Sequence, residues 1–179
     1  MKRTMTLLNN DRTFYHYQLL KKVRFVRAFS TCYLLLAAIS LLAAIYMSGV
    51  IGIAYVVTSW IVIGWVHYVT GRSVFVIDRY SYKGRWTWRW RMPWIGFLPQ
   101  EQQFISHRYW SKILWHTTFI TFIVIGILSP WLPMGLTLQL VFWHLWLMVP
   151  RIFGTLSALA EGKNGLVKLN ESDLSVYKA

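Results

Sequence analysis

Two stretches of this chain contain no Asp, Glu, Lys or Arg: one runs between Arg27 and Arg72, the other between Lys112 and Arg151. Each is about twice the roughly 20 residues that one helix needs to cross a bilayer core. Turn formers interrupt both near the middle, Ser48, Gly49 and Gly52 in the first and Ser129, Pro130, Pro133 and Gly135 in the second. Each stretch therefore reads as two spans joined by a tight turn, near 28–47, 51–70, 113–132 and 135–153. A transmembrane β-barrel would alternate polar with apolar positions, whereas 34–39 and 122–128 are apolar at nearly every position. The expected fold is an all-α integral membrane protein of four transmembrane helices, arranged as two helical hairpins.

Composition agrees. Hydrophobic residues make up 56% of the 179 and charged ones 14%, against nearly half and a quarter in soluble domains. The apolar run of the first span is longer than a secretory signal core and precedes no clean cleavage site, so it is read as retained. A single cysteine, Cys32, excludes an internal disulfide and any multi-cysteine zinc site. We expect it to lie buried in span one.

The formal net charge of +13 is unevenly placed. Of the 19 Lys and Arg, seven fall in 1–27, eight in 72–112 and four from Arg151 onward, so neither short hairpin turn has any. Positive loops stay on the cytoplasmic side. Both termini and the central loop are thus expected in the cytoplasm, which an even number of spans allows. The resulting plan is a basic leader (1–27), hairpin one (28–70), an Arg/Trp-rich loop (71–112), hairpin two (113–153) and a tail (154–179). In the leader, Tyr15, Leu19, Val23 and Val26 recur at helical spacing, with Lys21, Arg24 and Arg27 on another stripe. That pattern suggests a basic amphipathic helix. The segments leading into spans one and three, 16–21 and 107–112, echo each other in His, Tyr and Lys, as do the exits. Such residues are common at any membrane border.

The central loop is the most informative stretch. Residues 74–77 favour a strand, and Trp86, Trp88 and Trp90 alternate with Arg85, Thr87, Arg89 and Arg91. On a strand, alternate residues share a face. With Lys83-Gly84 as a two-residue turn, 73–82 would pair with 85–93 in a small cytoplasmic β-hairpin between spans two and three. Its Trp face would sit among headgroups and its Arg face would meet phosphates. The expected binding residues for anionic lipid or a protein partner are therefore Arg85, Trp86, Trp88, Arg89, Trp90 and Arg91. Arg with interleaved aromatics also suits single-stranded nucleic acid, but a segment tethered to membrane spans needs no such partner, and none is expected. After it, 100–103 should begin a polar helix running into span three.

Chemistry is sparse. No span holds a carboxylate, so a cation-coupled carrier lacks its usual titrating group. His144, with Gln139 a turn earlier, forms the deepest polar candidate. His67 and His116 should lie at matching depth near the cytoplasmic ends of spans two and three, the geometry of a b-type haem pair, with His144 about 15 Å deeper at 1.5 Å per residue. The simpler reading makes each histidine an interfacial or interhelical hydrogen-bond group, and no cofactor, metal or catalytic residue is expected. Ala37, Ser40 and Ala44 on span one, and Thr117 with Thr121 on span three, should let helices approach closely. The polar tail suits a docking segment or plain disorder. The expected role is a non-enzymatic accessory or scaffold subunit of a larger membrane complex of secretion, conjugation or transporter type. The alternative is a small homo-oligomeric transporter or channel, and behind it a haem- or quinone-linked membrane subunit.

Overall fold

A computed structural model describes residues 18–81, 85–101, 103–159 and 165–178. Four long helices dominate it: α1 (Arg27–Ser48), α2 (Ile51–Ile77), α3 (His107–Leu128) and α4 (Met134–Leu159). All four are long and apolar enough to cross a membrane, which fits a multi-pass membrane protein. Their outward faces are covered with Leu, Ile, Val, Phe and Trp, as expected where lipid rather than water is the solvent. Both α1–α2 and α3–α4 are antiparallel hairpins. Gly49 adopts φ +60° just after α1, and a Cβ on Gly52 would stand 2.1 Å from the Ala44 carbonyl oxygen. Only glycine permits so close a return. The second hairpin turns through a 3-10 helix at Ser129–Trp131, and α4 starts directly after Pro133.

An all-α description is incomplete, because the described residues also form two sheets. The first has four antiparallel strands in the order β1 (Gln18–Arg24), β6 (Asp173–Lys178), β5 (Gly165–Leu169) and β4 (Phe104–Ser106). Strand β1 runs into α1, β4 into α3, and β5 follows α4, so the sheet caps the end of the bundle opposite the two tight turns. The leader is accordingly a strand, not an amphipathic helix, over its described part. A seven-residue segment gains more from the β6 ladder than from an isolated helix of two turns, which is marginal in water. Tyr15 lies outside the described residues. Likewise 104–106 pairs with β5 instead of continuing a polar helix. The tail is an ordered hairpin, with Val167, Leu169, Leu174 and Val176 buried in the core. The echoed segments differ too: 18–21 is extended, whereas 107–112 is helical.

The second sheet corrects the expected loop hairpin in register. Residues 73–77 belong to α2, and the hairpin pairs β2 (Trp86–Arg91) with β3 (Trp94–Pro99), Trp86 opposite Pro99 and Arg91 opposite Trp94. Its turn is Met92-Pro93, while Lys83-Gly84 lies outside the described residues. Val74 and Phe75 are buried against this hairpin. Burial on all sides removes the advantage that β-branched residues hold on a half-exposed strand.

Two buried clusters follow. One, at the sheet end, joins Phe25, Phe75, Trp86, Trp94, Phe97 and Trp110 to the inner faces of β5 and β6. The other, within the bundle, centres on Tyr33, Ile63, Leu140, Trp143, Trp146 and Leu147.

Candidate functional site

The Trp/Arg alternation of β2 is real, but each face has another destination. Trp86 packs on Phe75 at 4.8 Å between ring centroids, Trp88 lies over Gly64, and Trp90 approaches Trp60 at 5.4 Å. Because Gly64 and Trp60 lie well inside α2, the hairpin folds back along that helix. Its indoles are largely structural, and of the three only Trp90 is well exposed. The opposite face meets carboxylates. Arg89 donates from Nη2 to Glu101 Oε1 at 2.7 Å and to the Asn170 carbonyl at 3.4 Å, and Arg91 pairs with Glu171. Burial lowers the pKa of the Arg89 guanidinium, and the neighbouring Glu101 carboxylate opposes that shift. These bonds bring 85–101 and the β5–β6 turn together. Arg85 stands 5.9 Å from the Tyr80 ring. An open cleft of about 490 Å³ runs along Thr87–Arg91, Gln100 and Glu101.

The intramembrane polar candidates separate. Gln139 accepts from Ser40 Oγ at 2.9 Å and donates to the Ser40 carbonyl at 3.3 Å, binding α4 to α1. His144 instead faces α2, where its Nδ1 lies 2.9 Å from His67 Nε2. Residues 139 and 144 point to different neighbours because five residues of helix turn through roughly 140° at 3.6 residues per turn. The expected pairing of His67 with His116 is corrected. His67 and His144 share one level, while His116 is exposed and its Nδ1 bonds the Lys112 carbonyl of its own helix at 2.7 Å. Span α2 runs on to Ile77, which puts His67 deeper than a span ending near residue 70 implies.

Sequence reasoning missed three participants. Tyr33 and Trp146 exchange bonds, phenol to the Trp146 carbonyl at 2.7 Å and indole to the Tyr33 carbonyl at 2.9 Å, with rings stacked 3.9 Å apart. Arg151, counted with the tail, is only 6% exposed inside α4. Its Nη2 donates to the Ile95 carbonyl at 3.1 Å, and its Nε has no partner. The run of α4 past Pro150 to Leu159 is what draws it in. The small-residue faces do serve packing: Ser40, Ala44, Thr117 and Thr121 are all buried. Cys32 is exposed rather than buried, on the outward face of α1.

Among the described residues, no group of three or more His, Cys, Asp or Glu is placed to hold a metal ion. His67 Nδ1 and His144 Nε2 lack partners, but two imidazoles already bonded to each other do not form an axial haem pair. What the fold and site define is a class: a four-helix, membrane-spanning bundle capped at one end by a basic, Trp-rich β-structure. No family model, curated protein or solved structure matches the chain.

Proposed function

We propose that this is a multi-pass protein of the cell (cytoplasmic) membrane, with both termini and the central loop cytoplasmic, acting as a non-enzymatic accessory or scaffold subunit of a larger complex. One observation carries the reading. Leader, central loop and tail, three separate parts of the chain, meet at the end of the bundle that holds the cations, and strands from all three build one sheet there. Because loops without Lys or Arg are the ones exported, that end is the cytoplasmic one. The opposite end presents two turns of a few residues, too little for an external receptor. Sheet order β1-β6-β5-β4 leaves β1 and β4 as edges, and the basic surface suits anionic headgroups or the acidic surface of a neighbouring subunit.

The alternative, a small homo-oligomeric transporter or channel, has less support. Gln139 and His144, which would line its path, bond to Ser40 and His67 within one chain. Crosslinking in native membranes followed by mild-detergent purification separates the two. A scaffold co-purifies with a larger partner, whereas a clean monomer or homo-oligomer overturns the scaffold reading. Flux in proteoliposomes that is lost in His144→Ala would establish the alternative.

A further inference from the structure

A second basic pocket, outside the Trp/Arg strand, lies where the end of α2 meets the start of α3. Its volume is about 580 Å³, and its charged walls are Arg85, Arg108, Lys112 and Asp78. Lys112 holds both oxygens of Asp78 at 2.7 Å, so three cations share one carboxylate. Ser106 precedes α3 without capping it through its side chain, which directs the positive end of a 22-residue helix to the same place. The Tyr109 hydroxyl on the pocket wall has no partner.

The same helix bears an apolar groove just below. Arg108, Lys112 and Trp115 follow i, i+4, i+7 spacing and share one stripe. The adjoining stripe of Ser111, Leu114 and Thr118 faces Ile152, Leu156 and Leu159 of α4 across a groove of about 300 Å³. Trp115 and Leu156, 62% and 60% exposed, form its outer lips. The step from cations to groove is one to two helical turns, about 5–10 Å, the distance from a phosphate to the upper part of an acyl chain.

We propose that this face holds one anionic phospholipid of the cytoplasmic leaflet. Its phosphate sits among Arg85, Arg108 and Lys112, and one chain lies between α3 and α4. Basic pockets between spans on the cytoplasmic side recognise headgroups in this way. The groove adds fit rather than hydrophobic drive, because an acyl chain is already in lipid, so selectivity comes from charge. A second copy on the same face would bring like cations together and is disfavoured for that reason. The inference rests on the membrane-spanning part of the function proposed above and not on the scaffold role.

Delipidated full-length protein, given phosphatidylglycerol or phosphatidylcholine with identical chains, would be read by native mass spectrometry. The wild type should retain phosphatidylglycerol several-fold more than phosphatidylcholine. R85Q/R108Q should bring that ratio close to one, and Leu156→Trp, which fills the groove, should reduce retention of both lipids. Equal retention by the wild type overturns the proposal without recourse to any variant. So does a preference that persists in R85Q/R108Q, or glycerol phosphate without chains binding as tightly as the lipid. Co-purification with a partner subunit is a separate readout, so either proposal can fail alone. Protein that stays dissolved without detergent would remove both.

Discussion

At the scale of single residues, burial in lipid makes each polar contact consequential, because no water is at hand to replace a lost partner. His67 and His144 illustrate this. His67→Leu or His144→Leu alone leaves an imidazole nitrogen buried without its partner, and each should destabilise the bundle by about 1–2 kcal/mol. The double substitution should cost less than the sum of the two, since the residues share one bond. Equilibrium unfolding in detergent micelles checks this, and strict additivity would mean that the contact contributes nothing. Gly96 is a second such residue. It holds φ +106°, and a Cβ there would stand 2.7 Å from Arg151 Nη2. Gly96→Ala should therefore destabilise by more than about 1 kcal/mol through combined strain and displacement of the guanidinium. Gly126, whose Cβ would meet nothing within 4 Å, supplies the control: its change to Ala should be neutral or slightly stabilising.

Among the elements, the β2–β3 hairpin is held by two ion pairs of similar appearance and different weight. Arg91 and Glu171 are both largely exposed, so Glu171→Gln should alter stability by at most about 1 kcal/mol. Arg89 is 7% exposed and Glu101 44% exposed. Glu101→Gln strips a buried guanidinium of its carboxylate while leaving only a neutral acceptor, and it should cost about 1–3 kcal/mol. Protease accessibility of the hairpin should follow the same ranking. Equal effects of the two substitutions would show that burial of Arg89 does not govern the hairpin. This hairpin also shows where sequence reading failed. Alternating Trp and Arg identified the strand and its two faces, yet gave no sign of which neighbour each face meets. That depended on Gly64, whose missing side chain admits Trp88, and on Glu101 and Glu171, which come from opposite sides of α3 and α4 in the chain.

For the whole molecule, orientation is the property most open to test. In a Cys32→Ser background, Val50→Cys places a thiol in the turn between α1 and α2, and Lys168→Cys places one on β5. An impermeant maleimide applied to intact cells should label residue 50 and reach residue 168 only after permeabilisation. The reverse pattern would invert the proposed topology and move the basic platform outside.

The sequence by itself determined the solvent. Forty-odd neutral residues twice over can be accommodated only in apolar surroundings, and turn formers at the centre of each run fix the number of crossings. Both are local properties of composition and length, which is why the four spans were legible to within a few residues at most ends. Only the tertiary structure decided what gathers at the capped end. A leader of mixed periodicity became a strand because β6 lies beside it, and a polar tail became ordered because α4 delivers it to β1 and β4. His67 met His144 rather than His116 through the full length of α2 and the packing of α4 against it. Pairings between residues far apart in the chain depend on which surfaces the folded helices bring together, and a short segment's own residues carry little record of its distant partner.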